Sequence, residues 1–216
     1  MEEGVLDPED VDEPDLHEGL RGVGKLEHDL AIFIEPLQVM NTRKWFGAAE
    51  LRLDVVVVHG GEAEDRFHPT TLRFPQVRDG DDLSTGPNGL MVFLGRPDHF
   101  LHVSFMLSRD TKDSDDLAEI LRKGAGAPEL ADAVTGLAAL TAAAPPAAAI
   151  QAALKGALVV GDLAYKYVRQ VSPTCLGLYR ASWLGARDKY GIGKHPREGF
   201  ELQRDFRFQY EIALNV

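Results

Sequence analysis

The chain has a single cysteine, Cys175, in 216 residues. No internal disulfide can form, and that argues for a reducing compartment and against a stapled secreted scaffold. The opening residues lack the basic start and apolar run of a signal peptide, so the expected location is cytoplasmic. Residues 1–18 contain no Lys or Arg but nine acids, Glu2 to Glu18. They hold most of the formal net charge of −11 and leave about −2 for the rest. Without clustered Lys and Arg, binding to nucleic acid through broad electrostatics is not expected. No stretch is long and strongly apolar without interruption. Val134 to Val160 comes nearest, but it is rich in Ala and broken by Gln151 and Lys155, so helices packed on a sheet are expected rather than a membrane span.

Familiar catalytic signatures are missing too. Gly-x-Ser-x-Gly and His-Glu-x-x-His do not occur. Gly19 to Lys25 has the spacing of a phosphate-binding loop as far as its lysine, but Leu26 stands where a Ser or Thr would hold Mg²⁺. Gly191-Ile192-Gly193-Lys194 lacks the leading glycine and is followed by His195. Neither supports nucleotide hydrolysis, and no enzymatic activity is expected.

What the chain does have is alternation. Apolar residues recur at every second position over Leu30–Ile34, Leu51–Val57, Leu101–Leu107 and Phe206–Leu214, with further strands expected at Arg66–Phe74, Leu90–Leu94 and Leu176–Leu184. Period-two patterns between turn signals indicate half-buried strands. Leu101, Val103, Phe105, Phe206, Phe208, Tyr210 and Ile212 should be core. The middle changes period: Asp115–Lys123 reads as a short helix capped by Ser114, and Glu129–Ala144 and Ala147–Val171 as a hairpin broken at Pro145-Pro146. Leu137, Leu140, Leu154 and Leu158 are expected to pack it on the domain. The fold class is mostly β (α+β), an antiparallel β-sandwich spanning 30–216 with a helical insertion at 115–171. Residues 1–29 are expected to be an acidic disordered tail or a docking arm.

Three groups of residues could carry function. Asp110, Asp113, Asp115 and Asp116 could offer oxygens to Ca²⁺, although Asp115 and Asp116 also suit the positive end of the helix they open. His59 and His68 flank a hairpin loop with Glu62, Glu64 and Asp65 and could face each other across two strands, or be ordinary surface residues. Two loops mix cations with aromatics: Arg43, Lys44, Trp45 and Phe46, and later Arg187, Lys189, Tyr190, Lys194, His195 and Arg197. Exposed aromatics beside cations suit a protein partner or a membrane surface. In the competing reading, Trp45 and Phe46 cap the end of the core.

The order of these features resembles a C2-type β-sandwich over about half the chain. The first strand, Leu30–Met40, leads through a variable loop into Phe46-Gly47-Ala48-Ala49-Glu50-Leu51-Arg52-Leu53. His102 to Asp110, continuing to Asp116, is similar to that family's strand and acidic third loop. The resemblance implies a sandwich whose edge loops, Met40–Phe46, Asp110–Asp116 and Arg187–Arg197, meet a protein or membrane partner without catalysis. It implies calcium only weakly, because the first loop has Asn41 and no Asp. The helical hairpin is extra to that pattern. Two other readings stand beside it: a subunit that grips a neighbour with its acidic arm, and a metal-dependent hydrolase built on the carboxylate and histidine loops.

Overall fold

A computed structural model describes residues 26, 28–60, 66–83, 85–110, 116–119, 132–133, 137, 147–172 and 174–215. The strands follow the alternation. They are β1 (Asp29–Val39), β2 (Ala49–His59), β3 (Phe67–Val77), β4 (Asp82–Leu83), β5 (Leu90–Gly95), β6 (Phe100–Arg109), β7 (Cys175–Leu184), β8 (Gly193–His195), β9 (Glu201–Leu202) and β10 (Phe206–Asn215). One long helix, α1 (Ala147–Val171), lies between β6 and β7.

The strands form two antiparallel sheets. In one, β1 pairs with β10, with β4 and β5 on the outer side of β1 and β8 and β9 on that of β10. In the other the order is β3-β2-β6-β7. Leu30, Ile32, Phe208 and Tyr210 from the first sheet share one buried core with Leu53, Val55, Val103 and Phe105 from the second. All seven residues expected in the core are buried. Aromatic rings knit its centre: Phe208 lies 5.3 Å from Phe105 and 5.2 Å from Tyr179, centroid to centroid.

The central strands of the second sheet, β2 and β6, are buried on both faces, and here the half-buried expectation fails. Val56, Val58, Phe100 and Met106 point away from the inter-sheet core and pack under α1. Ile150, Ala153, Ala157, Val160, Ala164 and Val168 form the helix's apolar stripe at helical spacing. Residues Ala147–Gln170 are long and apolar enough to cross a membrane, but this stripe lies on the sheet. Small residues set the approach. A Cβ at Gly161 would stand 2.9 Å from Ser104 Oγ, and one at Gly156 would stand 2.7 Å from the Ala133 carbonyl oxygen. Of the leucines expected to pack, Leu137 is fully buried and Leu154 half-buried, while Leu158 is exposed because it falls off the stripe. Leu140 and most of the first hairpin arm lie outside the described residues.

The same outer face holds polar groups in two places. Arg52 donates from Nε to both oxygens of Asp54 (2.8 and 2.7 Å), and both side chains are fully buried. Thr71 Oγ1 donates to Asp54 (2.7 Å) and accepts from the Leu117 N–H (2.9 Å), joining the ion pair to the start of the insertion. Burial pushes the Asp54 carboxyl up, while the Arg52 guanidinium opposes that shift. Further along, His102 sits between two serines beneath Gly161, with Nδ1 2.7 Å from Ser182 Oγ and Nε2 3.1 Å from Ser104 Oγ.

Candidate binding tip at loop 40–48

The loop joining β1 to β2 crosses from one sheet to the other and is pinned at its base. The Met40 and Asn41 N–H groups donate to the Asp205 carbonyl. Thr42, buried, donates from its N–H and Oγ1 to Asp79 Oδ1 at 2.7 and 2.8 Å, and these two bonds hold the Asp79 carboxyl below its usual range. The Arg43 N–H donates to Asn41 Oδ1 (2.7 Å), and its guanidinium pairs with Asp205. Arg43 and Gly47 take positive φ of 54° and 76°, which turns the chain outward between them.

Trp45 and Phe46 stand on that turn 93% and 85% exposed. They do not cap the core, as a sequence reading favours. The cause is the anchored base: Thr42 and Ala49 enter the protein, and the residues between bulge past the strand ends. Beside them lies an open groove of about 460 Å³ lined by Thr42, Lys44, Trp45, Phe46, Arg78 and Asp79. Arg78 and Asp79 carry no pattern that could have marked them in the sequence, because the fold brings them to the loop from the end of β3. Met40 (37%), Phe200 (42%) and Leu202 (67%) are also exposed on segments at this end. Arg207 lies over the Phe200 ring at 4.6 Å.

The three edge loops are split between two ends. Asp110 shares an end with loop 40–48, since its N–H donates to the Glu50 carbonyl at 2.8 Å. The Arg187–Arg197 loop starts at the other end, where the Gly185 N–H donates to the His99 carbonyl just ahead of β6. Three of its groups are already occupied. Arg187 pairs with Asp188 (2.8 Å), Lys194 with Glu35 (2.7 Å), and His195 has its Nε2 2.5 Å from the Gly191 carbonyl and stacks on Tyr210. Lys189 is exposed, while Tyr190 is buried in a left-handed turn (φ 50°, 57° and 71° over Lys189–Gly191). Burial raises the Tyr190 hydroxyl to about 12.

In the acidic loop, Asp110 and Asp116 converge on Arg73 rather than on open space: Arg73 Nε is 2.9 Å from Asp110 and its Nη1 2.7 Å from Asp116. Asp113 and Asp115 lie outside the described residues. Among the described residues no group of three or more His, Cys, Asp or Glu side chains converges as a metal centre. His59 and His68 do meet, with Nε2 atoms 3.2 Å apart, at the end opposite loop 40–48. Cys175 is half-buried, and its Sγ lies 3.5 Å from the Gly177 carbonyl oxygen. No protein-family model, no curated protein and no solved structure matches this chain.

Proposed function

We propose that the chain is a non-enzymatic binding module, a C2-like sandwich that docks on a protein partner through the loop 40–48 tip. The observation that carries this reading is the near-complete exposure of Trp45 and Phe46 on an anchored turn. Large aromatics bring area and rigidity to an interface, and a fixed loop loses little entropy when a partner closes over it. Exposing two adjacent aromatics to water otherwise has no structural return.

The surrounding charge favours a protein over an anionic bilayer. Arg43, Lys44 and Arg78 share this end with Glu50, Asp79, Asp81 and Asp82. A polybasic surface attracts anionic lipid, whereas mixed signs suit the polar rim of a protein interface. The hydrolase reading has less behind it, since Arg73 engages Asp110 and Asp116 while the histidine pair lies at the far end.

The test is quantitative co-purification with wild type and with Trp45→Ala/Phe46→Ala in parallel. The reading expects at least one protein to be enriched with wild type and lost by about tenfold or more with the variant, as a hot-spot pair requires. Identical sets of co-purifying proteins would refute it, as would vesicle flotation that depends on Trp45 with no protein lost.

A further inference from the structure

His59 ends β2 and faces into the seam between the two sheets, only 2% exposed. That overturns the reading of this pair as ordinary surface residues. His68, half-buried near the start of β3, approaches it with the ring planes 18° apart, the centroids 5.2 Å apart and Nε2 3.2 Å from Nε2. Phe93, from β5 of the opposite sheet, stands across both rings, 5.6 Å from His59 and 4.8 Å from His68. At this separation one ring can donate its N–H to the other ring's nitrogen.

We infer that His59 and His68 form a binding site for a borderline divalent transition ion of the zinc class. This site is independent of the aromatic tip, which lies at the other end of the sheets. Zinc takes imidazole nitrogen at 2.0–2.1 Å with tetrahedral angles, which places two such nitrogens ~3.3 Å apart. The ion therefore replaces the N–H proton between the rings with little change in spacing. Imidazole favours zinc, copper or nickel over calcium or magnesium.

Rigidity and access both favour the assignment. His59 is held by its buried strand and by Phe93. His68 lines an open cleft of about 370 Å³ between β3 and β5, with Phe67, Pro69, Met91 and Leu94 among its walls. That cleft gives an ion a route in, and gives the His68 ring room to turn its lone pair toward it. Water would fill the remaining coordination positions. An apolar ring against a pair of imidazoles raises the strength of each metal–ligand bond by excluding water from that side.

The full chain, stripped with chelator, is titrated with Zn²⁺ by calorimetry and with Co²⁺ by visible absorption, alongside His68→Ala and His59→Gln. The expected result is one equivalent bound by wild type, with d–d bands from Co²⁺. Affinity should fall at least about tenfold in each variant. Should the buried His59→Gln variant fail to fold, His68→Ala decides the matter, because His68 is half-buried. Binding that is unchanged in His68→Ala, as ions held by the acidic tail and its His17 would give, overturns the assignment. So does the absence of Zn²⁺ heat and Co²⁺ bands in wild type.

Discussion

Lowering the pH should loosen α1 through one residue. Desolvation first, and then the nearby Arg180 cation, depress the His102 imidazole from its ordinary value of 6.5 to about 4. It is fully buried in a slot that offers Ser182 Oγ on one side, Ser104 Oγ on the other and Gly161 above. Among the described residues no carboxylate is in contact with the ring, since Asp162 pairs with Arg180. A histidine whose folded pKa is depressed favours the native state above its unfolded value, and that contribution is lost as pH falls. Between the two values the unfolded chain binds more protons than the folded one. A shift from 6.5 to about 4 corresponds to about 2 kcal/mol lost between pH 7 and pH 5, and ~3 kcal/mol by pH 4. Urea unfolding at half-unit pH intervals measures it, with His102→Gln as reference so that the carboxylates cancel. The stability difference between the two proteins should move by those amounts over pH 7 to 4. A difference that stays flat would mean His102 is hydrated or paired with a negative group, and the slot beneath Gly161 would be wrong.

Other perturbations follow from the same packing. Phe208→Ala removes a ring that is 1% exposed and surrounded by Phe105, Tyr179, Phe206 and Tyr210, and should cost roughly 3–5 kcal/mol in urea unfolding. Gly156→Ala places a Cβ 2.7 Å from a backbone oxygen at Ala133, so the usual gain of Ala in a helix should reverse into a loss of about 1–3 kcal/mol; a rise in Tm would contradict the crossing there. Asp54→Ala takes the carboxylate from a fully buried guanidinium and should destabilise by about 3–5 kcal/mol, whereas an effect under 1 kcal/mol would indicate that water reaches Arg52. By contrast, Trp45→Ala/Phe46→Ala should leave stability within about 0.5 kcal/mol of wild type, as exposed substitutions do.

Much of the sandwich is legible in the sequence because period two is a direct signature of a strand with one buried face. β10 reads at once: Phe206, Phe208, Tyr210 and Ile212 are buried, and Arg207, Gln209 and Glu211 alternate with them only partly covered. β4, β8 and β9 escape notice because two or three residues cannot display a period. The second face of β2 reads ambiguously: Arg52 and Asp54 look like a solvated stripe, yet the insertion covers them as an ion pair. The C2 resemblance and the calcium expectation concern loops, and there chain order does not reveal which end of the sheets a segment occupies. The cations at Arg43 and Arg187 look equivalent in sequence but lie at opposite ends. The exposure of Trp45 and Phe46 was similarly hidden, since an aromatic pair beside a strand is as compatible with a core cap as with a free tip. Only the pinning of Thr42 by Asp79, 37 positions away, decides it.

Partner binding at loop 40–48 is tested by a photoreactive phenylalanine analogue placed at position 45. A matched protein carrying it at Leu158, on the exposed face of α1, serves as the control. Irradiation in cells followed by mass spectrometry should give a discrete protein adduct from position 45 that is absent from position 158. The adduct should disappear when Phe46→Ala is added. Equal labelling from the two positions, or an adduct insensitive to Phe46, would contradict the account.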